Sequence, residues 1–167
     1  MNYSDSKTQR GTGWTLAAIF VIAVAFNFAW ELAQSPLYVG MDNFSRMWSV
    51  CLPASLGDGA LALLIFAVGW LVLRQRDWFV RPRIRGYALM LVTGLVIATG
   101  IELVAVYVMR LWEYAKQMPL VPGLGAGLAP IAQMLLLPPL IFHIVARLAA
   151  WRSRAAKDTS GGNSPEH

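Results

Sequence analysis

Apolar residues run through this chain in four long blocks, and the few polar positions that interrupt them recur at one depth. From Gly11 to Trp30 twenty consecutive residues carry no charge. At about 1.5 Å rise per residue, a helix of that length matches a hydrocarbon core of about 30 Å. A second block, about Trp48 to Leu73, is interrupted only by Asp58, and a third, about Gly86 to Met109, only by Glu102. The fourth, Gln117 to Ala146, contains no Asp, Glu, Lys or Arg. The pattern predicts helices over about 14–35, 48–73, 86–110 and 126–147. The fold class expected is therefore all-α, an integral membrane four-helix bundle over 14–148 between a short N-terminus (1–13) and a tail (149–167). From Thr159 to His167 the tail is rich in Ser, Gly, Asn and Pro and is expected to be disordered.

The connections carry their own signals. Pro36 and Gly40 open the first loop, and Pro53 is expected in the first turns of the second helix, where early amides lack helical partners. Between the last two helices, the Pro/Gly-rich stretch Leu111 to Pro130 is too apolar for an ordinary solvated loop. Folded back onto the membrane, its backbone must pack on protein or line a cavity. Both a lid over a pocket and an interfacial hairpin satisfy that requirement.

Composition agrees with a lipid environment: 57% of residues are hydrophobic, 14% are charged, and the mean hydropathy is +0.52. The first apolar run is too long for a signal peptide and ends in Trp30-Glu31-Leu32-Ala33-Gln34, which predicts a retained helix. The single cysteine, Cys51, excludes an intramolecular disulfide and a cysteine-cluster metal site, and is expected as a buried small hydrophobe. The net charge of +5 does not call for nucleic acid, because the basic residues sort by loop. One set of segments holds Lys7, Arg10, Arg74, Arg76, Arg81, Arg83, Arg85, Arg147, Arg152, Arg154 and Lys157, and the other only Arg46, Arg110 and Lys116. By the positive-inside rule, both termini are cytoplasmic and the 111–130 segment is on the outer side. The arginine-rich loop is expected to touch anionic membrane lipid without specificity.

Ionisable groups at membrane depth are costly unless paired or hydrated, so each is a candidate for function. Glu31, Asp58 and Glu102 qualify, all in the outer half of their helices. Asn27, Glu31 and Gln34 are spaced i, i+4 and i+7 and share one stripe of the first helix. Gln133 reaches the same level from the fourth. No Lys or Arg lies at that depth, and apolar surroundings or a second acid favour the neutral carboxyl form, suited to a general acid or a proton carrier. Hydrogen bonding of neutral acids to Asn27, Gln34 and Gln133 for helix packing alone accounts for the same residues. A metal is not expected, since His143 lies towards the opposite face and His167 in the tail; no cofactor is called for. Ser35, Ser49 and Ser55 have no histidine for a hydrolase triad. Glycines 123, 125 and 127 lack the strand and the Lys-Ser/Thr of a phosphate loop. Trp30, Trp48, Tyr107, Trp112 and Tyr114 gather in the outer half as belt residues, and such aromatics beside a protonated carboxyl also suit a carbocation formed from a prenyl or polyene chain.

At these residues the chain resembles a widespread, uncharacterised group of small four-helix bacterial membrane proteins. The shared pattern comprises Asn27, Trp30 and Glu31; Gly57 and Asp58; Glu102; Trp112 and Tyr114; Met118 to Pro130; and Gln133. This resemblance covers nearly all four helices, implies a bacterial inner (cytoplasmic) membrane protein, and assigns no activity. Glu102 followed by Trp112-x-Tyr114 is similar to carotenoid-type membrane cyclases and hydratases, and Asn27-x-x-Trp30-Glu31 to membrane-bound terpene cyclases. The chain is shorter than either, and Pro130 to Gln133 lacks the acid that carotenoid cyclases carry there. That likeness implies acid-base chemistry on an isoprenoid or similar hydrophobic small molecule. Glu31 and Glu102 would be acid and base, Asp58 would support them, and Asn27, Trp30, Gln34, Trp112, Tyr114 and Gln133 would line the substrate. Two other classes stay open: a proton- or cation-coupled transport or ligand-binding protein, for which a homo-oligomer would widen a thin pathway, and an accessory subunit of a membrane complex.

Overall fold

A computed structural model describes residues 3–41 and 43–161, with side chains over 11–41 and 43–155. Four helices account for nearly all of it, and among the described residues there is no strand, only two isolated antiparallel bridges. They are α1 (Tyr3–Gln34), α2 (Phe44–Leu73), α3 (Arg83–Leu103) and α4 (Leu128–Gly161). Each contains a stretch long and apolar enough to cross a membrane: Gly11–Leu37, Phe44–Leu73, Arg83–Val108 and Leu128–Ala155. Large apolar side chains face outward along these stretches, with Val21 64%, Leu71 78%, Val92 61% and Val96 66% exposed. A water-soluble bundle would bury such a belt, so the architecture is that of a multi-pass membrane protein.

Helix ends differ from the periodicity in instructive ways. α1 begins at Tyr3, well before the expected residue 14, and α4 continues from the expected 147 to Gly161. The first extension is polar and the second carries Arg152, Arg154, Lys157 and Asp158, so apolar content marks where a helix can lie in lipid, not where its hydrogen-bond ladder stops. The tail expected to be disordered is thus helical as far as Gly161, while 162–167 lie outside the described residues. α2 starts at Phe44 because Asn43 caps it, its side chain accepting from the Ser45 amide at 2.9 Å. Pro53 therefore falls inside the helix, not in its first turns. α3 passes at Val104–Val108 into a π-helical turn, and Arg110 then reverses the chain at φ 52°.

α1 packs along α2 and α4, and α3 along α4, whereas the seam between α2 and α3 is the loosest. Close approach of α3 and α4 depends on Gly94, where a Cβ would stand 2.4 Å from the Met134 carbonyl oxygen. Pro138 has no N–H to satisfy that carbonyl within the helix, which leaves it free to face α3. At the arginine-rich end, the loop after α2 turns Trp78 and Phe79 inward. The Trp78 indole N–H donates to the Phe66 carbonyl at 3.2 Å, and its ring lies so close to Gly69 that a Cβ there would clash. With Phe142 these aromatics close one end of the core. The other end holds the polar residues.

At that end the connections 35–41 and 111–127 are tied together. Val39 N–H donates to Glu113 O and Ala115 N–H to Leu37 O, both at 2.9 Å, while the Gln117 amide donates to Pro36 O at 2.8 Å. Val121 N–H bonds Ala126 O and Leu128 N–H bonds Pro119 O, both at 2.8 Å. Met118 and Ala126 are buried beneath. These backbone hydrogen bonds of the Pro/Gly-rich segment are made on protein, as a lipid setting requires.

Candidate functional site

Burial of one face of α1 follows the spacing Ile19, Ala23, Asn27, and the stripe continues through Glu31 to Gln34. Asn27 is held by its own helix, its Nδ2 donating to Ala23 O at 2.8 Å, so its Oδ1 points into the bundle. Gln133 of α4 meets it there. The Gln133 amide nitrogen lies 2.8 Å from Asn27 Oδ1, 2.8 Å from Asp58 Oδ2 and 3.2 Å from Glu31 Oε1. Its oxygen accepts from Gln34 Nε2 at 3.1 Å, and Gln34 Oε1 accepts from the Trp30 indole at 3.2 Å. One side chain thereby joins α1, α2 and α4.

Stoichiometry makes this cluster unusual. An amide nitrogen carries two hydrogens, yet three oxygens converge on it. Turning the amide over would set its oxygen against all three acceptors and break the bond from Gln34. No Lys or Arg occurs in α2 after Arg46, in α1 after Arg10, or in α4 before Arg147. Arg46 instead lies beside Gly40 in the loop. A proton held by Glu31 or Asp58 relieves the crowding by turning an acceptor into a donor.

Glu102 of α3 forms a second group. It is 3% exposed, and its Oε1 accepts the Tyr114 hydroxyl at 2.6 Å and, at a longer 3.4 Å, the Trp112 indole N–H. Both bonds fall on one oxygen; among the described residues none falls on Oε2. Tyr114 in turn accepts the Gly127 amide at 2.9 Å, so a single hydroxyl links the acid to both ends of the covering segment. The Tyr107 hydroxyl donates to Gly125 O at 2.9 Å and pins the same segment from the π turn.

All nine residues expected from the sequence lie in one or other group, and no direct hydrogen bond joins the two among the described residues. Tyr38, not among those expected residues, stands beside the second group. Its ring lies 6.0 Å from that of Tyr114 and 6.4 Å from that of Trp112. Burial, followed by the charges of Glu102, Glu31, Tyr114 and Asp58, pushes its phenol above the ordinary value. Burial and the bond to Glu102 push Tyr114 up as well. Both phenols therefore remain neutral, and that of Tyr114 donates to Glu102. The signal that could have found Tyr38 is the Ser-Pro turn before it, which reverses the chain over the end of α1.

Among the described residues no group of His, Cys, Asp and Glu is arranged to hold a metal ion. Ser55 donates to Cys51 O within its own helix at 2.6 Å and stands apart from these bonds. Compared with protein-family models, curated proteins and solved structures, the chain matches none.

Proposed function

We propose that the chain is a bacterial inner-membrane enzyme that performs carboxylate acid-base chemistry on an isoprenoid or similar hydrophobic lipid. Both termini are cytoplasmic in this reading, and the 111–127 segment covers the site from the outer side. Its orientation rests on the arginine cluster from Arg74 to Arg85 and the further basic residues from Arg147 onward.

The observation that carries the proposal is the asymmetry of Glu102. Two donors hold Oε1, while Oε2 is left to carry a proton. In the forward step the Oε2–H bond breaks and a C–H bond forms on one carbon of a substrate double bond, leaving a carbocation on its neighbour. The bonds from Tyr114 and Trp112 stabilise the carboxylate produced, and the faces of Trp112, Tyr114 and Tyr38 stabilise the cation. Glu31 or Asp58 then removes a proton from an adjacent carbon, which yields an isomerised or cyclised product; capture by water and loss of a proton gives a hydrated one. A proton must return from the Gln133 cluster to Glu102 before the next turnover. Conversion of an extracted prenyl lipid, followed by mass spectrometry, should vanish in Glu102→Gln and Glu31→Gln while both proteins insert and fold. Full activity in both variants sinks the reading.

A second reading draws on the Gln133 cluster, where uncompensated acids surround one amide: proton- or cation-coupled transport or ligand binding. Uptake into liposomes that depends on a proton gradient and disappears in Asp58→Asn would favour it. Flux that ignores pH would count against it.

A further inference from the structure

The loose seam between α2 and α3 opens sideways, towards the bilayer. It forms a groove of about 610 Å³ bordered by Leu61, Leu64, Val96, Gly100, Ile101 and Trp112, among others. We propose that this groove holds the polyprenyl chain of the substrate, admitted laterally from the bilayer, with Trp112 as the wall between chain and acid. The proposal rests on the reading of Glu102 as an acid acting on an isoprenoid, and supplies that reading with an entrance.

The groove is made for an apolar chain. Its walls are apolar, and all but Met109, Leu111 and Trp112 belong to stretches able to lie within the membrane, so lipid and not water is the competing occupant. Its volume falls within the roughly 300–1,000 Å³ typical of small-molecule pockets. Along α3 and the π turn it runs from Val96 to Met109, roughly 20 Å at helical rise, short of the about 30 Å over which a packed partner helix would follow the seam across the core. Trp112 borders the groove and donates to Glu102, so a single side chain separates the groove from the acid.

Two independent features place the opening here. Gly100 lies within α3, yet a Cβ at that position would meet nothing within 4 Å. A helical glycine costs about 1 kcal/mol relative to alanine, so packing inside this chain does not account for it. It keeps bulk out of the groove. Beyond it the helix changes to the π turn, whose Val104 and Ala105 line the groove. Such turns add a residue to the helix and re-aim the side chains that follow, frequently at functional sites.

The test uses the full chain in lipid nanodiscs and geranylgeraniol carrying a diazirine at the end remote from its hydroxyl. After irradiation, adducts should map to Leu61, Leu64, Val96 or Ile101, and unlabelled geranylgeraniol, but not stearic acid, should remove them. Gly100→Phe should cut labelling by about tenfold or more, a loss of about 1.4 kcal/mol in binding, while Gly100→Ala retains it. If the phenylalanine variant unfolds, Val96→Trp, at a side chain 66% exposed, fills the groove in its place. Adducts outside the groove, or unaffected by the filling variants, overturn the proposal. Equal displacement by stearic acid overturns the choice of a polyprenyl chain, and a disulfide between two copies through Val96→Cys shows that protein covers the seam instead. Normal groove labelling with no conversion by the wild type overturns the acid chemistry and leaves the groove standing.

Discussion

Replacing Gln133 by leucine removes the side chain on which the polar cluster converges while preserving much of its bulk. The amide can direct its two hydrogens among Asn27, Asp58 and Glu31, and its oxygen takes one from Gln34, so three full bonds are lost. Hydrogen bonds between membrane helices average about 0.6 kcal/mol and reach about 1.7, which gives roughly 2–5 kcal/mol for the three. Asn27 and Gln34, at 2% and 5% exposure, cannot recover the loss from solvent without opening the bundle. Reversible unfolding of the purified protein, titrated with denaturing detergent in mixed micelles and followed by far-ultraviolet circular dichroism, measures the difference. A change below about 0.5 kcal/mol, under the average for even one such bond, would refute the assignment of Gln133 as the hub.

Other outcomes follow from the same contacts. Asp58→Asn keeps an oxygen for Gln133 and should cost less than about 1 kcal/mol, while Asp58→Ala should cost more by the same titration. Tyr114→Phe removes the group between Glu102 and the Gly127 amide; hydrogen exchange at Gly127 should accelerate, and unchanged protection would show that the hydroxyl does not hold the covering segment. Gly94→Ala forces a methyl group onto the Met134 carbonyl and should destabilise by about 1–3 kcal/mol, whereas Gly57→Ala, with nothing within 4 Å, should be neutral or slightly stabilising. For orientation, Gln117→Cys should react with a membrane-impermeant maleimide in intact cells and Arg76→Cys should not, both in a Cys51→Ala background; the reverse pattern inverts the topology.

Much of the site was legible because helix geometry is regular. The spacing of Asn27, Glu31 and Gln34 predicts one face of α1, and counting along each helix brings Asp58 and Gln133 to the level where their side chains meet. Three features were not legible. That three oxygens share the Gln133 nitrogen depends on the approach of α1, α2 and α4 at sub-ångström scale, set by packing and not by period. Tyr38 comes beside Tyr114 and Trp112 because Val39 and Ala115 pair backbone to backbone with residues of the other connection, and such pairing leaves no pattern in side-chain type. Trp78 and Phe79 lie amid arginines, where side-chain type gives no sign of burial. Their burial becomes intelligible only with Gly69, the glycine whose bare surface receives the Trp78 ring.

The central claim is that Glu102 delivers a proton to carbon. Incubation of the nanodisc-embedded protein with geranylgeraniol in deuterated water, followed by mass spectrometry of the recovered lipid, tests it most directly. Carbon-bound deuterium is expected with wild type and none with Glu102→Gln, whose side chain can still accept the bonds from Tyr114 and Trp112. Deuterium incorporation at the wild-type rate in that variant, or none with wild-type protein whose groove is shown to hold the probe, contradicts it.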